Sequence, residues 1–409
     1  MKDTVLIAGG GIGGLTAALC LVDRGYDVKV LEQASQMRAV GAGIQLSANA
    51  TRVLLQCGLG PALSQITVKP GGKCIRLWNT GQTWQLFDLG TESIERYGAP
   101  YMMLYRPELL TVLMEALAAR SPTALQLGAK VSEATQSDSG VEVTLADGRR
   151  LVGAALIGAD GVHSIVRSTF VAVDRPRFSG CIAWRGVIPI ERLPRSMQGV
   201  EGVNWVGPGG HVIHYPISAG RMVGFTGIVE TDEWQGESWT ATGSTQECLD
   251  CFPGWHADIH ALIREVPEPM RWAMMVRDPL PAWTNGRVTL LGDAAHPTLP
   301  FLAQGAGMAI EDGCVLARAL EADPDNVERG LRSYEATRLE RTMRIVQASA
   351  ANAGRFHSDE LAHADTAAAY VEREWQLEKP RSGYEWLFAY QPETVALADP
   401  GDGDGDGDR

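Results

Sequence analysis

The sequence predicts an α/β fold in which a parallel sheet with crossover helices is interrupted by an inserted antiparallel sheet and followed by further helices. Residues 5–33 have the pattern of a strand, a glycine-rich turn, a helix and a second strand. Residues 288–313 again place an apolar strand before a glycine-rich stretch and a helix. Between them, residues 176–275 contain short β-like runs separated by Pro and Gly, which is typical of a meandering antiparallel sheet. The chain therefore leaves one sheet, builds another, and returns to the first.

The first glycine-rich turn predicts a dinucleotide site. The apolar stretch Thr4–Ala8 suits a buried parallel strand, and Gly9, Gly11 and Gly14 then match G-x-G-x-x-G. Gly9 permits a tight turn, Gly11 lets the backbone approach a pyrophosphate, and Gly14 lets the helix pack close to the strand. The N-terminus of the helix predicted for Leu15–Arg24 then faces the phosphates.

An acidic residue follows the second predicted strand. Asp27–Leu31 is β-like, and Glu32 stands at its end, near the usual position for a carboxylate that bonds a ribose hydroxyl. An acid at this position disfavours a 2′-phosphate, so the nucleotide bound here is not expected to be NADP. The motif does not by itself distinguish FAD from NAD.

Composition limits the remaining possibilities. The 409 residues suffice for two or three domains, and a formal net charge of -13 argues against nucleic-acid binding, which needs a basic surface. No apolar run is long enough to span a membrane, and the N-terminus does not have the pattern of a signal peptide. Seven scattered cysteines indicate reduced thiols and a cytoplasmic location. No metal site is expected, and the chain is expected to be a monomer or a homodimer.

The second glycine-rich segment predicts a further part of the ligand site. Val288–Leu291 resembles a buried strand, and Gly292-Asp293 follow at its carboxyl end, where open α/β sheets bind ligands. The Asp293 carboxylate suits a ribityl-type hydroxyl. The small residues of 304–307 then open a long helix and allow the backbone to approach a ligand closely.

Three separated motifs of the chain resemble those of a known family. The G-x-G-x-x-G at Gly9–Gly14, the D-G motif at Gly158–Gly161 and the G-D motif at Gly292-Asp293 resemble the fingerprints of the class A flavoprotein aromatic hydroxylases. The resemblance extends to Gly41–Ile44 and to Tyr105–Leu110, and it covers nearly the whole chain. Within that family, the chain is similar to 3-hydroxybenzoate 6-hydroxylases, salicylate-hydroxylase-like enzymes and 6-hydroxynicotinate 3-monooxygenase.

The resemblance implies a Rossmann-like FAD-binding domain assembled from separate pieces, an inserted antiparallel-sheet domain for the substrate, and C-terminal helices. The expected division is an FAD-binding domain from 1–73, 98–175 and 276–350, a substrate domain from 74–97 and 176–275, a helical segment 351–398 and a disordered acidic tail 399–409.

The resemblance also implies the cofactors. NADH or NADPH reduces bound FAD, O₂ adds to give a C4a-hydroperoxide, and one OH passes to an aromatic ring. No second G-x-G-x-x-G is present, so the nicotinamide donor is expected to bind transiently. The residues expected to contact the cofactor are Gly9, Gly11, Ile12, Gly13, Gly14, Glu32, Gln33, Gly43, Ile44, Arg106, Val131, Asp160, Asp293, Pro300, Gly305, Ala306, Gly307 and Met308.

Two residues of the inserted sheet are the candidate catalytic and substrate-binding groups. His211, Ile213 and Tyr215 alternate along one predicted strand and share a face, whereas His214 points the other way. His211 and Tyr215 match positions at which the resembled enzymes hold or deprotonate a phenol. A histidine suits that proton transfer near neutral pH, and a phenolate ring is more electron-rich than a phenol. The alternative is a hydrogen-bonded core histidine beside a packing tyrosine.

Three further residues are expected to line the substrate site, and they differ from the resembled enzymes. Gln45 and Phe301 each stand where the hydroxynicotinate enzyme has a histidine, and Pro300 replaces a glutamine of the 3-hydroxybenzoate enzymes. The sequence therefore favours a hydroxylase of a phenolic aromatic acid, of hydroxybenzoate or salicylate type. A heteroaromatic hydroxylase or epoxidase on the same scaffold, and a flavin-binding redox sensor without turnover, remain as alternatives.

Several other patterns are interpreted as structural. Cys248 and Cys251 form a C-x-x-C without a second pair, and His256 and His260 have no third metal ligand in the pattern. Of the eleven tryptophans, Trp184 or Trp205 are candidates for lining a ring-binding pocket. The segments 331–352 and 364–378 are predicted helices.

Overall fold

The computed structural model describes residues 2–37, 42–172, 174–232, 241–375 and 378–401. Gly41 of the resemblance, residues 376–377 of the predicted C-terminal helix and residues 402–409 of the predicted acidic tail lie outside these described residues. The strands, numbered in chain order, are β1 Lys2–Ala8, β2 Tyr26–Glu32, β3 Gly43–Leu46, β4 Lys73–Leu77, β5 Thr83–Phe87, β6 Met102–Tyr105, β7 Leu125–Leu127, β8 Val131–Ser137, β9 Gly140–Leu145, β10 Arg150–Gly153, β11 Ala155–Gly158, β12 Arg177–Pro189, β13 Gly202–Gly207, β14 Gly210–Ile217, β15 Met222–Glu230, β16 Met270–Val276, β17 Thr284–Asn285 and β18 Val288–Leu290. The helices are α1 Ile12–Val22, α2 Ala48–Gln56, α3 Gly60–Ile66, α4 Thr91–Tyr97, α5 Arg106–Arg120, α6 Ile165–Phe170, α7 Thr245–Asp250, α8 Ala257–Arg264, α9 Gly305–Ala322, α10 Val327–Phe356, α11 Ala364–Trp375 and α12 Glu378–Phe388.

A six-stranded sheet unites the two glycine-rich segments. Its order is β17-β18-β11-β1-β2-β7, and all its pairs are parallel except β17–β18. The strands are apolar because the sheet is covered by other elements. The buried helices α1 and α9 pack against each other and against the sheet, and strands β9 and β10 also contact it, with Gly153 of β10 next to Leu6 of β1. Strand β18 lies two places from β1, so the return segment joins the same sheet edge as the first glycine turn.

A seven-stranded sheet forms the inserted layer, in the order β16-β12-β15-β14-β13-β4-β5. Its pairs are antiparallel except β13–β4, which is parallel. One face packs against α7 and α8 in a core that includes Trp184 and Trp205. The opposite face, which carries Tyr215 and Trp272, packs against residues of α9 and the C-terminal helices. The inserted sheet is thus buried on both sides.

The smaller sheets and the C-terminal helices complete the fold. Strands β8–β10 form an antiparallel meander, and β3 pairs with β6 in a two-stranded ribbon. Helix α10 runs for 30 residues, and α11 and α12 follow it onto the face of the inserted sheet that carries Tyr215. No helix among the described residues is long and apolar enough to cross a membrane.

A buried network of charges joins α9 to α10. The Asp312 carboxylate accepts hydrogen bonds from the Arg338 Nε at 2.7 Å and from the Gly292 backbone N–H at 3.0 Å. The adjacent Glu311 forms ion pairs with Arg338 at 2.6 Å and with Arg341 at 2.8 Å. Burial by itself would raise the pKa of Asp312, but its charged and hydrogen-bonded partners lower it to about 2. The carboxylate therefore stays ionised inside the protein and fixes the turn at Gly292.

We expect removal of one partner from this network to be costly. Arg338→Met leaves two buried carboxylates without their shared cation, which lowers the free energy of unfolding by about 3–5 kcal/mol. Urea unfolding followed by circular dichroism measures the loss. The matched control is Arg373→Met, because the ion pair of Arg373 with Glu360 lies at the surface and contributes at most about 1 kcal/mol. Equal losses in the two variants would contradict this account of the core.

Candidate active site

Packing requires glycine at two positions of the first turn. Gly9 has a φ of +106°, and a Cβ atom there would lie 2.3 Å from the Ala159 carbonyl oxygen. A Cβ atom at Gly14 would lie 2.1 Å from the Gly9 carbonyl oxygen. The Gly9 N–H donates to the Leu31 carbonyl at 2.8 Å, which ties the turn to β2. The first turn, helix α1, strand β2 and the end of β11 therefore pack closely together here.

Gly11 differs from these two glycines because it borders open space. No described atom lies within 4 Å of a Cβ atom built at Gly11. Gly11 is the N-cap of α1, and no side chain among the described residues caps that helix end. The first backbone N–H groups of α1 are therefore available to an anion, as a pyrophosphate requires. Ile12 and Gly13 are buried behind them, where Gly13 meets the Leu291 side chain.

Glu32 is fixed at the end of β2 by its own hydrogen bonds. Its two carboxylate oxygens accept from the backbone N–H groups of Gly10 and Ala34, each at 2.8 Å. Gln33 beside it is exposed. Val131, the first residue of β8, is buried. Two residues before it, the Ala129 N–H donates to the Glu32 carbonyl at 2.8 Å.

The second glycine-rich segment meets the first at Arg106. Burial lowers the pKa of Arg106, whereas the nearby charges of Asp293 and Glu32 oppose that effect. Burial likewise raises the pKa of Asp293, against the charges of His296 and Arg106. The Asp293 side chain nevertheless keeps a large accessible surface. Since protein surrounds this carboxyl, its accessible surface lines a cleft between the two segments rather than the outer surface.

The D-G segment supports this cleft through its side chains. The Asp160 carboxylate accepts from the Ser164 hydroxyl at 2.5 Å and from the Ile165 N–H at 2.8 Å, so it caps the start of α6. The buried Arg167 forms an ion pair with Asp174 and donates to the carbonyl of Ala294 at 3.0 Å. Arg167 therefore anchors the loop that carries Asp293, a role that the sequence did not reveal.

Polar side chains connect the N-terminus of α9 to the start of α2, which directly follows the ribbon strand β3. Gln304, the N-cap residue, donates to the Ser47 hydroxyl and accepts from the Asn49 amide, both at 3.0 Å. Asn49 also donates to the Glu311 carboxylate of the buried charge network. The α9 N-terminus, with Gly305, Ala306 and Gly307, is thus held next to the end of β3, and Met308 is fully buried behind it.

The candidate catalytic residues lie on one face of β14. Tyr215 packs directly on the ribbon, since a Cβ atom at Gly43 would lie 2.6 Å from the tyrosine ring. Gln45 accepts a hydrogen bond from the Tyr101 hydroxyl at 2.6 Å and also bonds Tyr215. Burial raises the pKa of Tyr215 to about 12, so its hydroxyl keeps its proton at neutral pH. His214 lies on the opposite face, where burial and the charge of Arg76 lower its pKa to about 3.

His211 lies in an apolar wall, in which its side chain has one hydrogen-bond partner. It is 3% exposed, and its ring contacts Phe301 and Phe356 with centroids 5.3 and 5.0 Å away. Its Nδ1 is 2.7 Å from the Nε2 of His357. Burial, followed by the charges of His357 and Lys73, lowers the pKa of His211 well below its usual value. His211 is therefore a neutral imidazole at neutral pH. Pro300, next to Phe301, is exposed.

These residues fit an FAD molecule. The uncapped start of α1 with open space at Gly11 suits the pyrophosphate, and the cleft-facing carboxylate of Asp293 suits the ribityl hydroxyls. The ribbon strand that begins at Gly43 contacts the face of the inserted sheet that carries Tyr215.

Comparison with known proteins decides the family. The chain matches the FAD binding domain family over residues 2–349. The chain belongs to this family. It is 36% identical to 3-amino-4-hydroxybenzoate 2-monooxygenase of Streptomyces platensis, covering 96% of this chain and 98% of that protein. It is also 36% identical to 3-hydroxybenzoate 6-hydroxylase of Polaromonas naphthalenivorans, covering 94% and 96%. The Klebsiella pneumoniae protein HpxO, solved with FAD and uric acid, superposes with a TM-score of 0.80 at 27% identity, covering 93% and 95%.

The chain is therefore an FAD-dependent aromatic hydroxylase of class A, with NAD(P)H and O₂ as its other reactants. The predicted family, fold class and cofactors are confirmed. The contacts that individual residues make with FAD stay predictions.

One expectation about the aromatic hydroxylase was wrong, and one residue was missed. Trp184 and Trp205 are buried on the α7–α8 face of the inserted sheet, so they do not line the site near Tyr215. Trp272 occupies that face instead, and its ring stacks with the Arg185 guanidinium at 4.0 Å. No sequence pattern points to Arg185, because a lone arginine in a strand has no recognisable spacing.

The histidines and cysteines that the sequence analysis interprets as structural are buried or make hydrogen bonds within their own segment. His256 caps α8 through the Asp258 N–H, and His260 donates to the Phe252 carbonyl at 2.8 Å. Cys248 is buried, and the Cys251 thiol donates to the Glu247 carbonyl at 3.3 Å.

The contrast between Gly11 and Gly14 gives a prediction. Gly11→Ala introduces a methyl group into open space, so we expect the apoprotein to lose at most about 1 kcal/mol, the usual difference between Gly and Ala at an N-cap. FAD affinity, titrated by quenching of flavin fluorescence, should fall about 10-fold or more because the methyl group stands where backbone meets the pyrophosphate. Gly14→Ala should instead destabilise the apoprotein. Unchanged FAD affinity in a folded Gly11→Ala would contradict this placement of the pyrophosphate.

Proposed function

We propose that this enzyme hydroxylates the ring of a phenolic aromatic acid, of hydroxybenzoate or salicylate type. The observation that supports this most strongly is a cation without a counter-charge on the sheet face that carries His211 and Tyr215. The guanidinium of Arg185 makes no hydrogen bond or ion pair with any described residue.

The strand register places Arg185 beside the candidate catalytic residues. Arg185 pairs with Thr226 of β15, and Thr226 pairs with Ile213 of β14. Ile213 lies between His211 and Tyr215 on the same face. Arg185 and Tyr215 are also close enough that their charges influence each other.

A bound carboxylate would satisfy this arginine. Burial lowers the pKa of Arg185 to about 10, so the group is still a cation at neutral pH, but an isolated buried cation is unfavourable. The ring of Trp272 stacks on the planar guanidinium and leaves its N–H groups available for a bidentate acceptor. An aromatic carboxylate supplies that acceptor and the negative charge together.

The phenolic end of the substrate meets His211 and Tyr215. The neutral imidazole of His211 accepts the phenolic proton, and the protonated hydroxyl of Tyr215 donates a hydrogen bond that orients the ring. Phe301 and Phe356 exclude water around His211. Bound FAD, once reduced by NAD(P)H, would activate O₂ for transfer of one oxygen atom to the ring. The role of His211 is to deprotonate the phenol.

The alternatives are less well supported. The near-full-length relatives at 36% identity act on hydroxybenzoates by name, which does not favour a heteroaromatic ring or an epoxidation. Because these relatives are named as enzymes, a flavin-binding sensor without turnover is also disfavoured. A cytoplasmic location is proposed because all seven cysteines are free thiols.

A substrate screen tests the proposal directly. The FAD-loaded enzyme is mixed with NADH or NADPH and a panel of hydroxybenzoates, aminohydroxybenzoates and hydroxypyridines, and oxygen uptake and product mass are measured. We expect a hydroxylated benzoate as product. A protein that retains no FAD, or that turns over only pyridines, would refute the proposal.

Arg185 has a selective role to test. We expect Arg185→Met to weaken binding of the carboxylate substrate by about 2 kcal/mol, or roughly 30-fold. Binding of the matching amide or unsubstituted phenol should change little, because these lack the charge. Arg264→Met is the matched control, since Arg264 is exposed on α8. Equal losses for acid and amide would contradict a carboxylate contact.

His211 has a pH-dependent role to test. We expect His211→Ala to retain FAD but to lose about 100-fold or more in the rate of product formation, the usual contribution of a general base. The loss should shrink as pH rises towards about 10, where a phenol ionises without help. Ile213→Val on the same face is the control. A loss that is independent of pH would assign His211 to packing.

A further inference from the structure

We propose that His357 and Glu230 continue from His211 as a proton relay, which carries the phenolic proton of the substrate from the buried pocket to solvent. The relay rests on the proposed phenolic substrate, since His211 must receive a proton there. Nothing in the sequence pattern joined these three residues, because His357 follows α10 and Glu230 ends β15.

The geometry is a continuous chain of hydrogen bonds. His211 Nδ1 lies 2.7 Å from His357 Nε2, and His357 Nδ1 lies 2.8 Å from the Glu230 carboxylate. The His357 side chain is 1% exposed, whereas that of Glu230 is 53% exposed. This series of hydrogen bonds therefore begins at His211 inside the apolar wall and ends at the solvent-exposed carboxylate of Glu230.

The backbone holds the three groups in place. The Gly209 N–H donates to the His357 carbonyl at 3.0 Å, and the Glu230 N–H donates to the Gly209 carbonyl at 2.9 Å. His211 and Glu230 lie on adjacent antiparallel strands, with Gly210 paired to Val229. His357 is the C-cap of the 30-residue α10, where the helix dipole stabilises a transient positive charge.

The hydrogen bond to Glu230 determines which ring nitrogen carries the proton in His357 and, through it, in His211. An ionised Glu230 accepts from His357 Nδ1–H, so the Nε2 of a neutral His357 is an acceptor. His211 must then donate through Nδ1–H, which leaves its Nε2 with a free lone pair. That Nε2 has no hydrogen-bond partner among the described residues and is not a fully enclosed atom. The arrangement thus presents a base to the pocket.

The transfer balances at each atom. The phenolic O–H bond breaks as an N–H bond forms at Nε2 of His211. The Nδ1–H proton of His211 passes to Nε2 of His357, and the Nδ1–H proton of His357 passes to Glu230 and then to water. The reverse passage restores the tautomers after product leaves.

The groups around His211 favour transfer of an accepted proton to His357 over its retention on His211. Burial disfavours a cation at His211 and so lowers its pKa, and the charges of the neighbouring His357 and of Lys73 act in the same direction. The pKa of His357 is also lowered by burial, but Glu230 opposes that effect. A proton accepted at His211 therefore moves outward, towards the only carboxylate that the described residues place on His357.

Stopped-flow mixing tests the relay in the oxidised holoenzyme, before any oxygen chemistry. The probes are 3-hydroxybenzoate and 3-amino-4-hydroxybenzoate, with phenolate absorbance and proton release to a pH indicator as the two signals. Glu230→Gln keeps a hydrogen-bond acceptor for His357 but cannot take a proton. We expect both signals to slow about 10-fold or more, with substrate affinity changed less than about 3-fold. Glu268→Gln, an exposed glutamate without a hydrogen-bond or ion-pair partner among the described residues, is the control.

A second variant separates the relay from packing. His357→Ala should slow the same signals, and added imidazole should restore them, because it occupies the space left by the ring. Wild-type rates in Glu230→Gln and in His357→Ala would overturn the relay alone. Absence of a phenolate signal in the wild-type enzyme with every phenol of the hydroxylase panel would overturn both the relay and the phenolic substrate.

Discussion

The buried carboxylates of α9 are the constraint on which the candidate active site depends. Asp312 accepts from the backbone of Gly292, and Glu311 accepts from Asn49 of α2. One helix therefore fixes both the loop that carries Asp293 and the helix that directly follows the ribbon strand β3. Arg338 neutralises both carboxylates from α10. Segments that are far apart in sequence are thereby held in one arrangement around the cleft. Two ionised carboxylates in a protein interior are tolerated only with such cations.

The second constraint is the close contact between the inserted sheet and the flavin-binding part. Glycine at 43 and at 224 allows the two backbones to approach, because a Cβ atom at Gly224 would lie 3.3 Å from the Gly43 nitrogen. This contact places Tyr215 against the strand that ends near the α9 N-terminus. The polar groups of an otherwise apolar wall, Arg185 and His211, then face the same region. Their burial makes each of them depend on a partner. His357 is that partner for His211, and the proposed function assigns a substrate carboxylate to Arg185.

The sequence predicted more of the cofactor-binding part than of the substrate pocket. Backbone geometry in the first turn depends on neighbours within a few residues, so the pattern at Gly9 and Gly14 revealed it. The alternation of His211 and Tyr215 correctly placed them on one face. The pattern could not show which face of the sheet meets the flavin side. For that reason Trp184 was a wrong candidate, and Trp272 with Arg185 was found only in the structure.

The sequence by itself determined the family, the α/β fold and the cofactor, because these depend on local turns and on the order of motifs along the chain. Tertiary structure decided the chemistry of the pocket. Arg185, His211 and His357 come from two strands and a helix end, and no spacing rule connects residues that meet only when distant segments pack. The physical reason is burial. A charged or titratable side chain acquires its properties from the groups that surround it, and the fold alone specifies those groups.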